Sequence, residues 1–123
     1  MSDTFIANLQ RAQREFARER DWEQFHTPKN LAMALTVEAA ELQEIFQWLR
    51  PDEASALSPE QTQHLREELA DVLLYLCRLA DVCNVDLESA AWDKLRRNAE
   101  KYPADLVRGS ARRPIADTKQ PKD

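Results

Sequence analysis

Acidic residues occur in pairs within two apolar segments of this sequence, at positions where a core helix would normally carry aliphatic side chains. Glu38 and Glu41 are three positions apart, and Glu68 and Asp71 repeat this spacing later in the chain. On a helix, residues three apart lie side by side and both side chains can reach one ligand. An unpaired carboxylate is costly to bury unless it is neutralised by protonation or by a cation. The two pairs therefore predict a bound cation.

The chemistry of these residues favours a hard metal ion. Carboxylate oxygens without His or Cys ligands suit Mg²⁺, or alternatively Mn²⁺, better than Zn²⁺. Four carboxylates leave an excess of negative charge around such an ion, and sites of this kind bind the phosphates of a substrate through the metal. We therefore predict a phosphorylated substrate. The alternative is that the acids are solvated on helix faces, which is the preferred interpretation for Glu44 and Glu67.

Helical periodicity accounts for how the two pairs would be brought together. Aliphatic residues recur at steps of three and four in both segments, so each segment would carry an apolar stripe along one helix face. Glu38 occupies the position at which the stripe of the first segment lacks an aliphatic residue. Two helices of this kind, packed antiparallel, would gather the four carboxylates in one pocket. The stripes are formed by Leu31, Leu35, Leu42, Ile45 and Leu49, and by Leu65, Leu69, Val72, Leu76 and Leu79.

An all-α fold resembling a four-helix bundle is predicted, since the chain has a single Gly and long segments of helical period. Residues 1–103 form the predicted helical domain, and residues 104–123 form a poorly ordered C-terminal tail. The predicted helices are residues 4–20 after Ser2 or Asp3 as N-cap, Pro28 to near Arg50 after Thr27, Ser58–Pro59 to about Cys83 before Asn84, and the segment from the Asp86 cap to Tyr102.

Composition limits the possible partners and compartments. The formal charge of −5 disfavours binding to nucleic-acid polymers or anionic membranes, and neither a leader sequence nor a membrane-spanning segment is recognised. Cys77 and Cys83 fall on different faces of one predicted helix, so reduced thiols in a cytoplasm are expected. With 123 residues, the chain would gain from self-association.

Aromatic residues flank the first acidic pair in the sequence. Trp22, Phe25, His26 and Trp48 are candidates for a slot that holds a planar base, because aromatic faces stack on nucleobases. Each of them alone is better explained by core packing. Tyr75 follows Asp71 by one helical turn, which directs its hydroxyl group towards the same region.

Basic and amide residues near the end of the last predicted helix complete the set of candidates. They would bind substrate phosphates, or they form an exposed basic helix end that is favoured by the helix dipole. The residues themselves favour neither interpretation. They are Lys94, Asn98, Lys101 and Tyr102.

Together these motifs resemble the all-α nucleoside triphosphate pyrophosphohydrolases of the MazG-like superfamily, and most closely its dCTP pyrophosphatase branch. The match extends over roughly residues 15–113. The motifs that carry it are Glu38-x-x-Glu41, Glu68-x-x-Asp71-x-x-x-Tyr75, Arg20-Asp-Trp22-Glu-Gln-Phe25-His26-x-Pro28-x-Asn30, Phe46-Gln-Trp48 and Lys94-x-x-x-Asn98-x-x-x-Tyr102-Pro103.

The resemblance implies hydrolysis between the α and β phosphates of a nucleoside triphosphate, which yields a monophosphate and pyrophosphate. It also implies a tetramer, preferred over a dimer, that holds the substrate between subunits. Lys101 replaces an arginine of the vertebrate pattern, which keeps the charge but loses bidentate geometry. By the same resemblance, Mg²⁺ is held by Glu38, Glu41, Glu68 and Asp71, the base and sugar are surrounded by Trp22, His26, Asn30 and Trp48, and the phosphates are bound by Lys94, Asn98, Lys101 and Tyr102.

A second hypothesis from another class is a non-catalytic helical protein whose acidic face binds a partner. It predicts that neither Mg²⁺ nor nucleotides change the melting temperature. The enzyme hypothesis predicts that both do.

Overall fold

The computed structural model of the protein describes residues 4–111, and these residues form helices without a β-strand. The prediction of an all-α fold is confirmed. Within the described residues, those up to Val85 form one compact unit, and those from Asp86 onwards form a second. The helices are α1 (Phe5–Glu19), α2 (Pro28–Phe46), α3 (Pro51–Ala54), α4 (Pro59–Val82), α5 (Leu87–Lys101) and α6 (Ala104–Val107), with a 3₁₀ turn at Glu23–Phe25.

Side-chain caps define where the long helices begin. Thr27 accepts a hydrogen bond from the backbone N–H of Asn30, and Pro28 occupies the first turn of α2, as predicted. Helix α1 is capped by Thr4, whose hydroxyl oxygen accepts from Ala7 N–H, so the prediction of Ser2 or Asp3 as the cap is wrong. A cap of this type contributes about 1 kcal/mol.

The region after α2 differs from the prediction. Helix α2 ends at Phe46 instead of near Arg50, and the expected linker contains the short helix α3. The reason is that Pro51 begins a helix, since its fixed φ suits the first helical position. Arg50 must then be extended as the N-cap residue, and its N–H donates to the Glu53 carboxylate at 2.9 Å.

Helix α4 has the predicted boundaries. Ser58 and Gln61 form a reciprocal capping box, with the Ser58 hydroxyl accepting from Gln61 N–H at 3.1 Å and the Gln61 side-chain oxygen accepting from Ser58 N–H at 2.9 Å. The helix ends at Val82, and Asn84 follows with a φ of +57°. This left-handed conformation stops the helix, and Asn adopts it more readily than most residues.

The core of the first unit is small, and α2 and α4 share its most extensive helix contact. The buried apolar residues are Ala17 of α1, Leu31 of α2, and Cys77 and Ala80 of α4. Helix α1 is joined to α4 by two glutamine amides, which donate at 2.8 Å to the backbone carbonyls of Cys77 and Leu74. The predicted α4 stripe is only partly buried, because Leu69 is 51% exposed and Leu76 is 37% exposed.

The second unit contains α5 and α6. Asp86 caps α5, as predicted, by accepting from Ser89 N–H at 3.1 Å. A domain boundary at residue 103 remains a prediction, and most of the expected tail lies outside the described residues. None of the described helices is long and apolar enough to span a membrane.

Candidate active site

The packing of α2 against α4 brings three of the paired acids together. Glu38, Glu41 and Glu68 each offer one carboxylate oxygen, and these oxygens lie within 4.8 Å of one another. Asp71 joins the group through a side-chain hydrogen bond with Glu38. We refer to the four residues as the acidic cluster.

The acidic cluster is electrostatically unfavourable by itself. Burial raises the pKa of Glu38 to about 7, and the negative charges of Glu41, Asp71 and Glu68 and the hydrogen bond to Asp71 act in the same direction. Among residues 4–111, no Lys or Arg forms an ion pair with any member of the cluster. The only basic neighbour found there is His64, whose Nε2 lies 3.4 Å from Glu68 Oε2.

Two buried oxygen atoms test whether a cation fits this cluster. Glu38 Oε1 and Glu68 Oε1 are buried and form no hydrogen bond in the described chain. Buried polar atoms are almost always paired, so these two oxygens point to a missing partner. A hard divalent cation would supply that partner and compensate the charge. The donor set therefore fits Mg²⁺ or Mn²⁺.

A cavity of about 420 Å³ adjoins the acidic cluster and shares Asp71 with it. Three residues singled out in the sequence also line this cavity: Trp22, His26 and Tyr75. Its other lining residues are Ala12, Gln13, Phe16, Leu74 and Arg78. We refer to this space as the aromatic cavity. Its size and its mainly apolar lining are typical of small-molecule sites.

The end of α1 explains why Trp22 reaches the cavity. Asp21 has a φ of +54°, and its N–H and that of Trp22 donate to Arg18 and Ala17 carbonyls at 3.2 and 2.9 Å. This pair of bonds is a Schellman motif, which reverses the chain at the helix end. Trp22 is thereby placed edge-on against Phe16, with ring centroids 5.8 Å apart.

His26 faces the cavity after the 3₁₀ turn. Its ring lies edge-on to Trp22 with a centroid distance of 6.4 Å, and its Nδ1 accepts a hydrogen bond from Arg78 Nε at 3.0 Å. Burial lowers the pKa of His26, and the positive charge of Arg78 lowers it further. The imidazole is therefore neutral at pH 7.

Other candidates lie outside the cavity. Trp48 is 86% exposed in the turn after α2 and is not among the lining residues of the aromatic cavity. Asn30 is exposed, and its side-chain amide donates to the Phe25 carbonyl at 3.0 Å. The four candidates for phosphate binding belong to the second unit, where Lys101 Nζ lies 5.7 Å from the centre of the Tyr102 ring.

Two polar residues of the aromatic cavity were missed by sequence reasoning. Arg78 is only 8% exposed. The feature of the sequence that could have identified it is a charged residue within an apolar segment of α4. Gln13 had no such signal, because a glutamine in an amphipathic helix is ordinary. In the structure its amide donates to the Leu74 carbonyl and its Oε1 is buried without a partner.

Comparison with known proteins identifies relatives of this chain. The model of the MazG-like family matches residues 33–112. The chain is 49% identical over 113 residues to dCTP pyrophosphatase 1 of Bos taurus, a match that covers 89% of this chain and 66% of the relative. For the protein of the same name in Homo sapiens, the identity is 47% over 110 residues, with 88% and 65% covered. The chain thus spans slightly less than two thirds of these relatives.

A solved structure is also similar. The crystal structure of a pyrophosphatase from Archaeoglobus fulgidus superimposes with a TM-score of 0.77 at 40% sequence identity. The match covers 84% of this chain and 96% of that one.

Proposed function

The chain belongs to the MazG-like family, and from this premise we propose that it is a metal-dependent nucleoside triphosphate pyrophosphohydrolase. The proposed substrate is dCTP or a related or modified deoxynucleotide, and the products are the monophosphate and pyrophosphate. The observation that carries the proposal is the aromatic cavity, which shares Asp71 with the acidic cluster. A base in the cavity would leave its phosphates beside the carboxylates. The names of the relatives support the choice of dCTP.

In the proposed mechanism, Glu38, Glu41, Glu68 and Asp71 hold Mg²⁺, or Mn²⁺ in its place. The bound ion supplies polarisation of the phosphate chain and activation of a water molecule. The four carboxylates fix its position, and their negative charge keeps substrate phosphates away when the site carries no cation. Lys94, Asn98, Lys101 and Tyr102 remain proposed phosphate ligands, which would stabilise charge that develops on the leaving pyrophosphate.

A screen of the common deoxynucleoside and ribonucleoside triphosphates for pyrophosphate release tests the proposal. We expect Mg²⁺-dependent release, with dCTP among the best substrates. Release of orthophosphate instead of pyrophosphate would place the cleavage at another bond. If no triphosphate is hydrolysed and neither Mg²⁺ nor nucleotides raise the melting temperature, the acidic interaction protein becomes the better hypothesis.

Trp22→Ala tests whether the aromatic cavity holds the base. We expect KM for dCTP to rise about tenfold or more while kcat changes less, because stacking contributes roughly 1–3 kcal/mol in the ground and transition states alike. Steady-state kinetics at saturating Mg²⁺ measure the effect. Thr62→Ala, at an exposed position of α4, is the control. An unchanged KM in Trp22→Ala would remove the base from this cavity.

We also propose a homo-oligomer, with a tetramer preferred over a dimer. Few residues of the described chain are buried, and many large apolar side chains are exposed, which is typical of a surface that another subunit covers. The most exposed examples are Trp48 at 86%, Phe5 at 67%, Trp92 at 64%, Leu106 at 62% and Leu95 at 59%. In this proposal Trp48 contributes to the base site of a neighbouring subunit.

Light scattering coupled to gel filtration tests the assembly. We expect a mass of four chains at micromolar concentration. A mass of two chains would support self-association but contradict the preferred tetramer. Trp48→Ala should weaken assembly or raise KM for dCTP. A monomer that is fully active contradicts the proposal.

A cytoplasmic location is the remaining proposal. It is supported by the two cysteines, since Cys77 and Cys83 are both free thiols. Burial raises the pKa of Cys77, so this thiol is protonated and unreactive at pH 7.

A further inference from the structure

The hydrogen bond between Arg78 and His26 determines where the imidazole carries its proton. Arg78 Nε–H can only donate, so Nδ1 of His26, at 3.0 Å, must present a lone pair. A neutral imidazole has one N–H group, which is then at Nε2. The tautomer protonated at Nδ1 would point an N–H group of His26 at the N–H group of Arg78, and so would the imidazolium form.

An ion pair with Asp81 of the same helix holds Arg78 in this position. Its Nη1 lies 3.4 Å from Asp81 Oδ2, and its side chain is only 9% exposed. Asp81 is itself held by Arg14 of α1, whose Nη1 donates to both carboxylate oxygens at 2.8 and 2.9 Å. The Arg78 guanidinium is thus held by the Asp81 carboxylate one turn away on its own helix, and Arg14 binds the same carboxylate from α1.

His26 is a lining residue of the aromatic cavity. The ring lines that cavity beside Trp22 and Arg78, and Nε2 has no hydrogen-bond acceptor among residues 4–111. A planar ligand that packs against Trp22 would therefore meet an N–H donor at its edge.

We propose that Arg78 is a positioning residue that holds His26 as the Nε2–H tautomer, so that His26 donates a hydrogen bond to a base nitrogen carrying a lone pair. This inference rests on the proposed function and deepens it, because it names the feature of the base that is recognised. Cytosine offers such a lone pair at N3. Uracil and thymine carry a proton at N3, which would face the imidazole N–H without an acceptor. A buried polar group without a partner costs more than a hydrogen bond contributes, so the site favours dCTP over dUTP.

The tautomer is measured directly on the wild-type protein. Two-bond ¹⁵N–¹H correlation spectra of the nucleotide-free protein at pH 7 distinguish a protonated from an unprotonated ring nitrogen. We expect a neutral His26 with the proton on Nε2. A proton on Nδ1, or a charged ring at this pH, overturns the inference whatever the activity of the enzyme.

The consequence for specificity is tested with two matched variants. Arg78→Met removes the donor to His26, whereas Arg14→Met removes one positive charge from the same network but leaves Arg78 in contact with both Asp81 and His26. We expect the ratio of kcat/KM for dCTP over dUTP to fall about tenfold in Arg78→Met. The ratio in Arg14→Met should stay near the wild-type value, and the His26 spectrum of Arg78→Met should show both tautomers.

An unchanged ratio in Arg78→Met, or an equal fall in both variants, overturns the positioning role. If Arg78→Met does not fold, the wild-type spectrum decides by itself. Absence of pyrophosphate release from every triphosphate contradicts the proposed function, whereas turnover of dCTP with the wrong tautomer contradicts only this inference.

Discussion

Glu38→Gln and Asp71→Asn are each expected to lower kcat/KM by at least about a hundredfold while the protein stays folded. Both substitutions remove one negative charge from the acidic cluster without a large change in side-chain volume. The cluster then binds Mg²⁺ more weakly, and the substrate phosphates lose their neutralising ion. In the absence of metal, the same change relieves the repulsion that raises the pKa of Glu38. Pyrophosphate release across a range of Mg²⁺ concentrations measures the loss.

Controls for this experiment lie on the same two helices. Glu44 of α2 and Glu67 of α4 are exposed, and neither belongs to the group of oxygens within 4.8 Å. Glu44→Gln and Glu67→Gln should therefore keep near wild-type activity with the same change in charge. Near wild-type turnover of Glu38→Gln or Asp71→Asn at low Mg²⁺ and saturating substrate would show that the cluster does not hold the catalytic metal.

The metal-free protein is expected to lose stability as the pH rises from about 4.5 to about 7. The ordinary pKa of Glu38 is 4.5, and its folded value is about 7, so the folded state binds more protons than the unfolded state between these values. Stability falls with pH wherever the folded state binds more protons. Glu38 therefore has little effect on the stability of the metal-free protein at pH 4.5 and destabilises it to the full extent above pH 7. Melting curves in a metal chelator should show this trend.

Glu38→Gln isolates this contribution because glutamine does not titrate. At pH 7.5 without metal, we expect the variant to melt roughly 5 °C or more above the wild type, and at pH 4.5 to melt at nearly the same temperature. His26 acts in the opposite direction, since its lowered pKa makes its protonation below pH 6.5 destabilising in both proteins. The difference between the two melting curves removes that effect.

Mg²⁺ should reverse the order of the two proteins. A ligand that binds only the folded state stabilises it by mass action. Saturating Mg²⁺ at pH 7.5 should therefore raise the melting temperature of the wild type far more than that of Glu38→Gln. Equal shifts in the two proteins, or no shift in either, would mean that the carboxylates do not form the cation site.

Local patterns in the sequence were sufficient to predict much of the fold. The caps at Thr27, Ser58 and Asp86 each depend on residues within a few positions of one another. The spacing of three within each acidic pair is likewise a property of one helix. The grouping of Glu38 with Glu68 followed from one further step, the packing of two apolar stripes. Such features are predictable because neighbours in the sequence remain neighbours on a helix.

Other features depend on contacts between residues far apart in the chain, and only the tertiary structure decides them. Arg78 contacts His26 across 52 positions, and Arg14 contacts Asp81 across 67. Neither pair has a spacing that marks it in the sequence. The exposure of Leu69 and of Trp48 is likewise decided only by the tertiary structure. Periodicity shows which residues share a helix face, whereas the direction and extent of burial depend on which other helices pack against that face.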